Sequence, residues 1–308
     1  MASEEFRKAL QSIKQWMNSF RNKGYEFDVM TLRTTMTSSV FPVPEIARIK
    51  GVNAGGVAAE WVRGSWARPN CRLLYLHGGG YVAGGVESHR PFAAWISEAS
   101  KCSILLLEYR LAPEHPFPAA LDDALSAYRW MRENGPDGKG GTGRSFLAGD
   151  SAGGGLAIAT MMALRDAGDA LPDAAVTLSA WSDLELTGDS VKSRAPVDPI
   201  LSPAMMQILA STYLGGSDPR TPYASPLYGD MAGLPPLLLQ VGDSEILLDD
   251  STRLAEKAKS AGVQVSLEVW PEMFHVWQGL APLFPEGQQA IDRIGEFIQS
   301  FFSPINES

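Results

Sequence analysis

The chain has 308 residues, 45% hydrophobic and 20% charged, with 30 Gly and 21 Pro scattered along it. It is long enough to bury roughly three quarters of its unfolded surface as one large domain or two small ones, with no staple. Its 26 basic residues against 35 acidic ones give a net charge of −9, which argues against a nucleic-acid partner, because phosphate backbones are held by clustered cations. Two cysteines, Cys71 and Cys102, exclude a disulfide scaffold and a four-cysteine zinc site.

In chain order, the first element is a helix over about Ser3–Asn22. Phe6, Leu10, Ile13, Met17 and Phe20 recur at steps of four and three, the period of one apolar helix face. Ser3 is its expected N-cap and Gly24 its C-terminal stop. The N-terminus has no basic start followed by an apolar run, and no stretch reaches the ~18 apolar residues of a spanning helix. The expectation is a soluble cytoplasmic protein with no membrane partner.

From Glu45 onward β-rich runs alternate with helical periods. Strands are expected at Ala47–Val52, Val57–Arg63, Arg72–His77, Ser103–Glu108, Ser145–Ala148, Ala174–Ala180, Leu237–Val241 and Val263–Trp270. Helices are expected at Pro91–Ser100, Pro118–Asn134, Ala152–Ala167, Asp250–Ala261 and Gly287–Phe302. The runs Leu73–Leu76, Ile104–Leu107 and Leu237–Leu239 are continuously apolar, as central strands covered on both faces are. The alternation predicts a mostly parallel α/β sheet, with the first two strands an antiparallel edge hairpin. Glu185–Pro236 breaks the rhythm with a single helical piece, Pro203–Leu214, and reads as an insertion outside the sheet.

Two glycine motifs carry chemistry. Gly149-Asp150-Ser151-Ala152-Gly153-Gly154 lies between a short strand and a small-residue helix. A serine on so tight a turn needs neighbours without bulk two residues before and after it, and Gly149 and Gly153 meet that need. The turn lifts the Ser151 hydroxyl clear at a helix N-terminus, where developing negative charge is favoured. His77-Gly78-Gly79-Gly80-Tyr81 follows a strand directly. Its amides can converge on one point, and Gly78 and Gly79 with Ala152 are expected to form a three-donor oxyanion hole, each donor worth on the order of 3 kcal/mol. This loop has neither the G-x-G-x-x-G spacing of a dinucleotide site nor the G-K-[ST] of a P-loop.

These two motifs in this order, with YRLAPEHPFPAALDD at 109–123, SDL at 182–184 and FHVW at 274–277, resemble the hormone-sensitive-lipase-like carboxylesterases, bacterial family IV of the α/β-hydrolase fold. The resemblance spans most of the chain. It implies an eight-stranded, mostly parallel sheet flanked by helices, with a helical cap made by the N-terminal segment and an insertion after the sixth strand. The chain then divides into a cap segment at 1–44, core at 45–184, cap insertion at 185–236 and core again at 237–308.

The base is read from the histidine census. His275 follows the last strand, in the order Ser…acid…His of this fold. His77 belongs to the glycine loop and is expected to hold it, His115 sits among prolines as a structural residue, and His89, beside Glu87 and Arg90, is expected at the surface. The acid is less determined, since Asp243, Glu245, Asp249 and Asp250 crowd one loop. The resembled family's spacing implies Glu245, with Leu247 and Asp249 in register, although the family more often has Asp there. Asp243 is the competitor, and Asp249 or Asp250 is expected to cap the following helix. Asp150 is read as orienting neighbouring loops, and Asp183 and Asp198 as loop and lid anchors.

The expected activity is hydrolysis of small carboxylic esters by Ser151, His275 and Glu245, without cofactor or metal. Phe20, Phe41, Tyr81, Met205, Met206 and Leu209 are the expected substrate pocket, and the resemblance implies acyl chains of roughly C4–C8. A lactone hydrolase with the same triad, or a non-catalytic small-ligand receptor on the same fold, are the alternatives. The open edge of the last strand, with the resemblance, implies a homodimer.

Overall fold

The computed structural model describes residues 2–22, 28–38 and 41–302, and of residues 16–22 and 38 the backbone alone. Eight strands form one sheet: β1 (Arg48–Ala54), β2 (Val57–Arg63), β3 (Arg68–Leu76), β4 (Cys102–Leu107), β5 (Arg144–Asp150), β6 (Ala174–Leu178), β7 (Leu237–Gly242) and β8 (Val265–Trp270). They lie in the order β1-β2-β4-β3-β5-β6-β7-β8. β1 and β2 pair antiparallel, as do β2 and β4, and every later pairing is parallel.

The apolar runs divide residue by residue between two cores, because successive side chains of a strand point to opposite faces. Leu74, Leu76, Leu105, Leu107, Leu147 and Leu239 pack on one face with helices α4 (Ala119–Glu133), α5 (Ala152–Asp166) and α8 (Leu248–Ser260). Leu73, Tyr75, Ile104, Leu106, Phe146 and Leu238 pack on the other with α3 (Val86–Ser100) and α9 (Pro285–Gln299). Each such leucine, fully out of water, contributes about 2 kcal/mol.

α3 begins five residues before the expected start at Pro91, which now lies inside the helix. Its first turn is anchored from outside by Glu108, whose carboxylate accepts the Val86 N–H at 2.6 Å, a charge suited to a helix N-terminus. The extra turn also puts His89 on the same face as Phe92, Ala93 and Ile96, and it is buried rather than at the surface. His115 lies exposed in its loop among the prolines.

The pieces outside the sheet are α1 (Glu4–Asn22), α2 (Val29–Ser38), α6 (Ser190–Ser193) and α7 (Pro203–Leu214). Ser3 caps α1 by accepting the Phe6 N–H at 3.0 Å, while Gly24 lies outside the described residues. Phe6 anchors α1 in a cluster with Phe274, Trp277 and Phe284. α2 has no expectation behind it, since its Thr-rich sequence carries little helical signal. It is held by Arg33, which donates to the carbonyls of Val82 and Ala112 at 2.7 and 3.0 Å and pairs with Glu114. α6 and α7 lie in the segment between β6 and β7, and Met206, Leu209, Ala210, Tyr213 and Leu214 of α7 pack into the α4/α5/α8 core.

Candidate active site

The parallel strands deliver their motifs at their carboxyl ends, where ligands of such sheets are bound. β3 leads into His77, β5 into Ser151, β7 into Glu245 and β8 into His275. Ser151 joins β5 to α5 with φ 53° and ψ −122°, a strained backbone for a residue with a side chain. It is held there by its N–H, which donates to the Leu178 carbonyl at 2.8 Å, and by its carbonyl, which accepts from Gly154, Gly155 and Trp181. A Cβ on Gly153 would stand 2.0 Å from the Leu76 carbonyl oxygen, and one on Gly149 2.3 Å from that of Gly153. No side chain fits at either place.

His275 Nε2 lies 2.9 Å from Ser151 Oγ, and its Nδ1 lies 2.7 Å from Glu245 Oε2. A carboxylate accepts only, so the neutral ring carries its proton on Nδ1 and accepts from the serine hydroxyl at Nε2. Burial drives the imidazole pKa down, but the hydrogen bond and charge of Glu245, helped by Asp198 and Asp150, outweigh it and hold His275 above its ordinary value. Glu245 is fully buried. Its Oε1 accepts from the Gly242 N–H and the Ser179 hydroxyl, both at 2.7 Å. Asp243 turns elsewhere, accepting from the Glu272 N–H at 2.8 Å and from Ser244.

Ser179 carries no sequence signal. It sits just after β6 at φ 50°, and its oxygen both donates to Glu245 and accepts the Val276 N–H at 3.1 Å. One hydroxyl thus ties the acid to the backbone beside His275.

The glycine loop corrects one expectation. The Gly78 N–H donates to Asp150 Oδ1 at 3.0 Å, so it is not available to an oxyanion. Asp150 is buried, accepts also from Tyr75 at 2.8 Å, and faces His89 Nε2 at 3.5 Å. Burial pushes its carboxyl up, yet His89 and the Tyr75 hydroxyl hold it below its ordinary value. The N–H groups of Gly79, Gly80 and Ala152, by contrast, donate to no acceptor among the described residues. Gly79 takes φ +122°, and a Cβ there would stand 2.1 Å from the Ala83 carbonyl oxygen. His77 holds the loop through Nδ1, 2.8 Å from the Gly78 carbonyl, and its ring stacks on Tyr109 at 4.1 Å. Burial pushes its pKa down to about 3, leaving a neutral ring.

Of the expected pocket residues, Tyr81, Met206 and Leu209 are buried together in one core, with Met205 half-buried at its edge. Tyr81 stacks on Tyr213 of α7 at 3.7 Å, and Leu209 lies directly over Gly80. Phe41 is placed instead against Trp95 of α3 at 5.7 Å, because the chain entering β1 runs along that helix. The Phe20 side chain lies outside the described residues.

Asp198 accepts from the N–H groups of Ile200, Leu201 and Ile246, each at 2.9 Å, and so fastens the segment before α7 to the loop of Glu245. Asp183 gathers the N–H groups of Glu185 and Thr187 and the Tyr228 hydroxyl. Asp249 and Asp250 do not cap α8. Asp249 accepts from the Ser190 N–H at the start of α6, and Asp250 from those of Ser182 and Asp183 in the segment after β6. Among the described residues no group of three or more His, Cys, Asp or Glu is placed to hold a metal ion, and no helix is long and apolar enough to cross a membrane.

A family model described as the alpha/beta hydrolase fold matches residues 73–279. An acetyl-hydrolase of Streptomyces hygroscopicus is 49% identical over 250 residues, 81% of this chain and 82% of the relative. An esterase of Acinetobacter venetianus is 33% identical over 262 residues, 85% of each chain. Among solved structures, EstE5 soaked with p-nitrophenyl butyrate superposes with a TM-score of 0.90 at 42% identity, over 97% of this chain and 99% of that one. An esterase from the bacterial hormone-sensitive lipase family does so with a TM-score of 0.88 at 43% identity and the same coverage. The chain therefore belongs to the α/β-hydrolase family, among the esterases related to hormone-sensitive lipase.

Proposed function

We propose that this ester hydrolase acts on short- to medium-chain carboxylic esters through an acyl-enzyme at Ser151. Ser151 Oγ attacks the ester carbonyl carbon as His275 Nε2 takes its proton, and Glu245 holds the ring and balances the imidazolium. The carbonyl electrons move to an oxyanion met by the N–H groups of Gly79, Gly80 and Ala152, each worth on the order of 3 kcal/mol. His275 returns the proton to the departing alkoxide. Water, deprotonated by the same ring, then attacks the acyl carbon and frees Ser151.

The observation that carries this reading is the unbroken chain from Ser151 through His275 to Glu245, at 2.9 and 2.7 Å. Ser151→Ala is expected to remove hydrolysis of p-nitrophenyl butyrate while the circular dichroism spectrum stays unchanged. Undiminished turnover by that folded variant would sink the proposal.

Residues 1–44 and 185–236 act as the cap in this reading, and Tyr81, Met206 and Leu209 as a close wall for the acyl group. Their near-complete burial favours the short end of the range, and the acetyl-hydrolase relative points the same way. Across a p-nitrophenyl ester series, rates are expected to be highest up to about C8 and to fall steeply beyond it, since a tight pocket charges for each added methylene. A preference for palmitate would overturn the wall. β8 has a strand neighbour on one side only among the described residues, which supports a homodimer paired along that edge. A monomer mass at micromolar concentration would refute it.

A further inference from the structure

The two cysteines, separated by thirty-one positions in the chain, stand on neighbouring parallel strands with their sulfurs in contact. Cys71 lies on β3 and Cys102 opens β4, with Sγ atoms 2.6 Å apart. The strand register explains how they meet. β3 pairs Arg68 with Cys102 but Arg72 with Ser103, so residues 69–71 have no partner on β4, while Cys71 stays paired with Arg144 of β5 and its side chain meets Cys102. Both side chains are buried in the core under α3 and α9, and both are unbonded thiols here. We propose that Cys71 and Cys102 are a redox-responsive pair that closes to an intrachain disulfide when the chain folds in the presence of a low-molecular-weight disulfide.

Neighbouring strands of a sheet lie within the Cα separation that a disulfide spans. The step is thiol–disulfide exchange. The thiolate of one cysteine attacks an external disulfide such as oxidised glutathione, and one glutathione thiolate leaves. The second cysteine, losing its proton, attacks the protein sulfur of that mixed disulfide and displaces the other glutathione. Two protein thiols are oxidised, one external disulfide is reduced, and two protons go to the departing thiolates. Burial holds the Cys102 thiol well above its ordinary pKa, so exchange belongs to the folding chain, before β3 and β4 close over the pair. In the finished fold the bond is shielded from reductants just as the thiols are from oxidants.

The ring so formed holds the carboxyl half of β3, the His77–Tyr81 loop and all of α3. It ties together the two ends of the segment that carries Gly79 and Gly80. The cysteines sit toward the amino ends of their strands, opposite the catalytic side, so the bond strengthens this segment without touching the chemistry.

The full chain is refolded from denaturant in reduced or oxidised glutathione, its thiols are titrated after denaturation, and its intact mass is measured. The expected oxidised product has no titratable thiol, no glutathione adduct and a mass lower by two hydrogens. Its thermal midpoint is several degrees above that of the reduced form, with kcat/KM for p-nitrophenyl butyrate unchanged. A Cys71→Ala, Cys102→Ala double variant, equally active, shows no difference between the two refolding conditions. Two titratable thiols or stable glutathione adducts in the folded oxidised product, or equal midpoints for the oxidised and reduced forms, would overturn the proposal.

Discussion

Glu245 and Asp243 divide the work around His275. Glu245 holds the ring through Oε2, while Asp243 holds the backbone at Glu272, three residues before the histidine in the same loop. Sequence alone leaves these acids as competitors because both follow the same strand; their partners in the fold, His275 for Glu245 and the Glu272 N–H for Asp243, separate them. Ser179 is illegible for a similar reason, since nothing in its neighbours marks a serine whose oxygen bridges two strand ends. His89 was more readable than it looked. Glu87 and Arg90 beside it suggest a surface, but its spacing of three, four and seven from Phe92, Ala93 and Ile96 is that of a buried face once the helix is begun before Pro91. The Glu245 assignment has a pH signature. The imidazole must be neutral to act, so in the native enzyme the acid limb of kcat/KM is expected above the ordinary histidine value of 6.5. In Glu245→Gln the hydrogen-bonded negative partner is gone, and burial is opposed only by the lesser pull of Asp198 and Asp150. The limb then moves to lower pH, while kcat falls on the order of 10²- to 10⁴-fold. A limb that stays in place would remove Glu245 from this role.

At the scale of elements, continuous apolar runs and alternating periods were enough to place all eight strands, with boundaries within a few residues except at the start of β3. The bulge before Arg72 explains that exception: residues 68–70 are polar or proline, yet backbone pairing extends β3 through them. Which glycine of the His77–Tyr81 loop is spent on Asp150 depends on how β5 and β3 abut, which the sequence does not show. α1 is more than a surface helix. Phe6 stacks on Phe274 at 5.7 Å and meets Phe284 edge-on at 5.2 Å, so it buttresses the residue directly before His275. Phe6→Ala is expected to destabilise the fold by about 3 kcal/mol and to lower kcat with KM nearly unchanged. Denaturant unfolding and steady-state kinetics measure the two effects, and a destabilised variant with native kcat would separate α1 from the histidine loop.

For the whole molecule, the acidic surplus of 35 acidic against 26 basic residues also places carboxylates in the interior. Asp250 is the extreme case. It is fully buried near Asp183, and burial followed by that neighbour pushes its pKa up to about 8 from 3.8. Folded, it keeps its proton across a range where the unfolded chain has lost it, so the native state binds more protons. Stability from this group therefore falls as pH climbs from about 4 to 8 and levels off above that. Asp250→Asn keeps an oxygen for the Ser182 and Asp183 N–H groups without a titrating proton. Its melting temperature is expected to change less than the native protein's between about pH 5 and 9, and parallel curves would contradict the assignment.

The proposed chemistry turns on one covalent bond. If Ser151 is the nucleophile, rapid acid quenching during turnover of p-nitrophenyl butyrate traps a chain heavier by one butyryl group, and peptide mapping puts that group on Ser151. The Ser151→Ala protein carries none. Steady turnover with no acyl group on Ser151, or with the group on another residue, would contradict it.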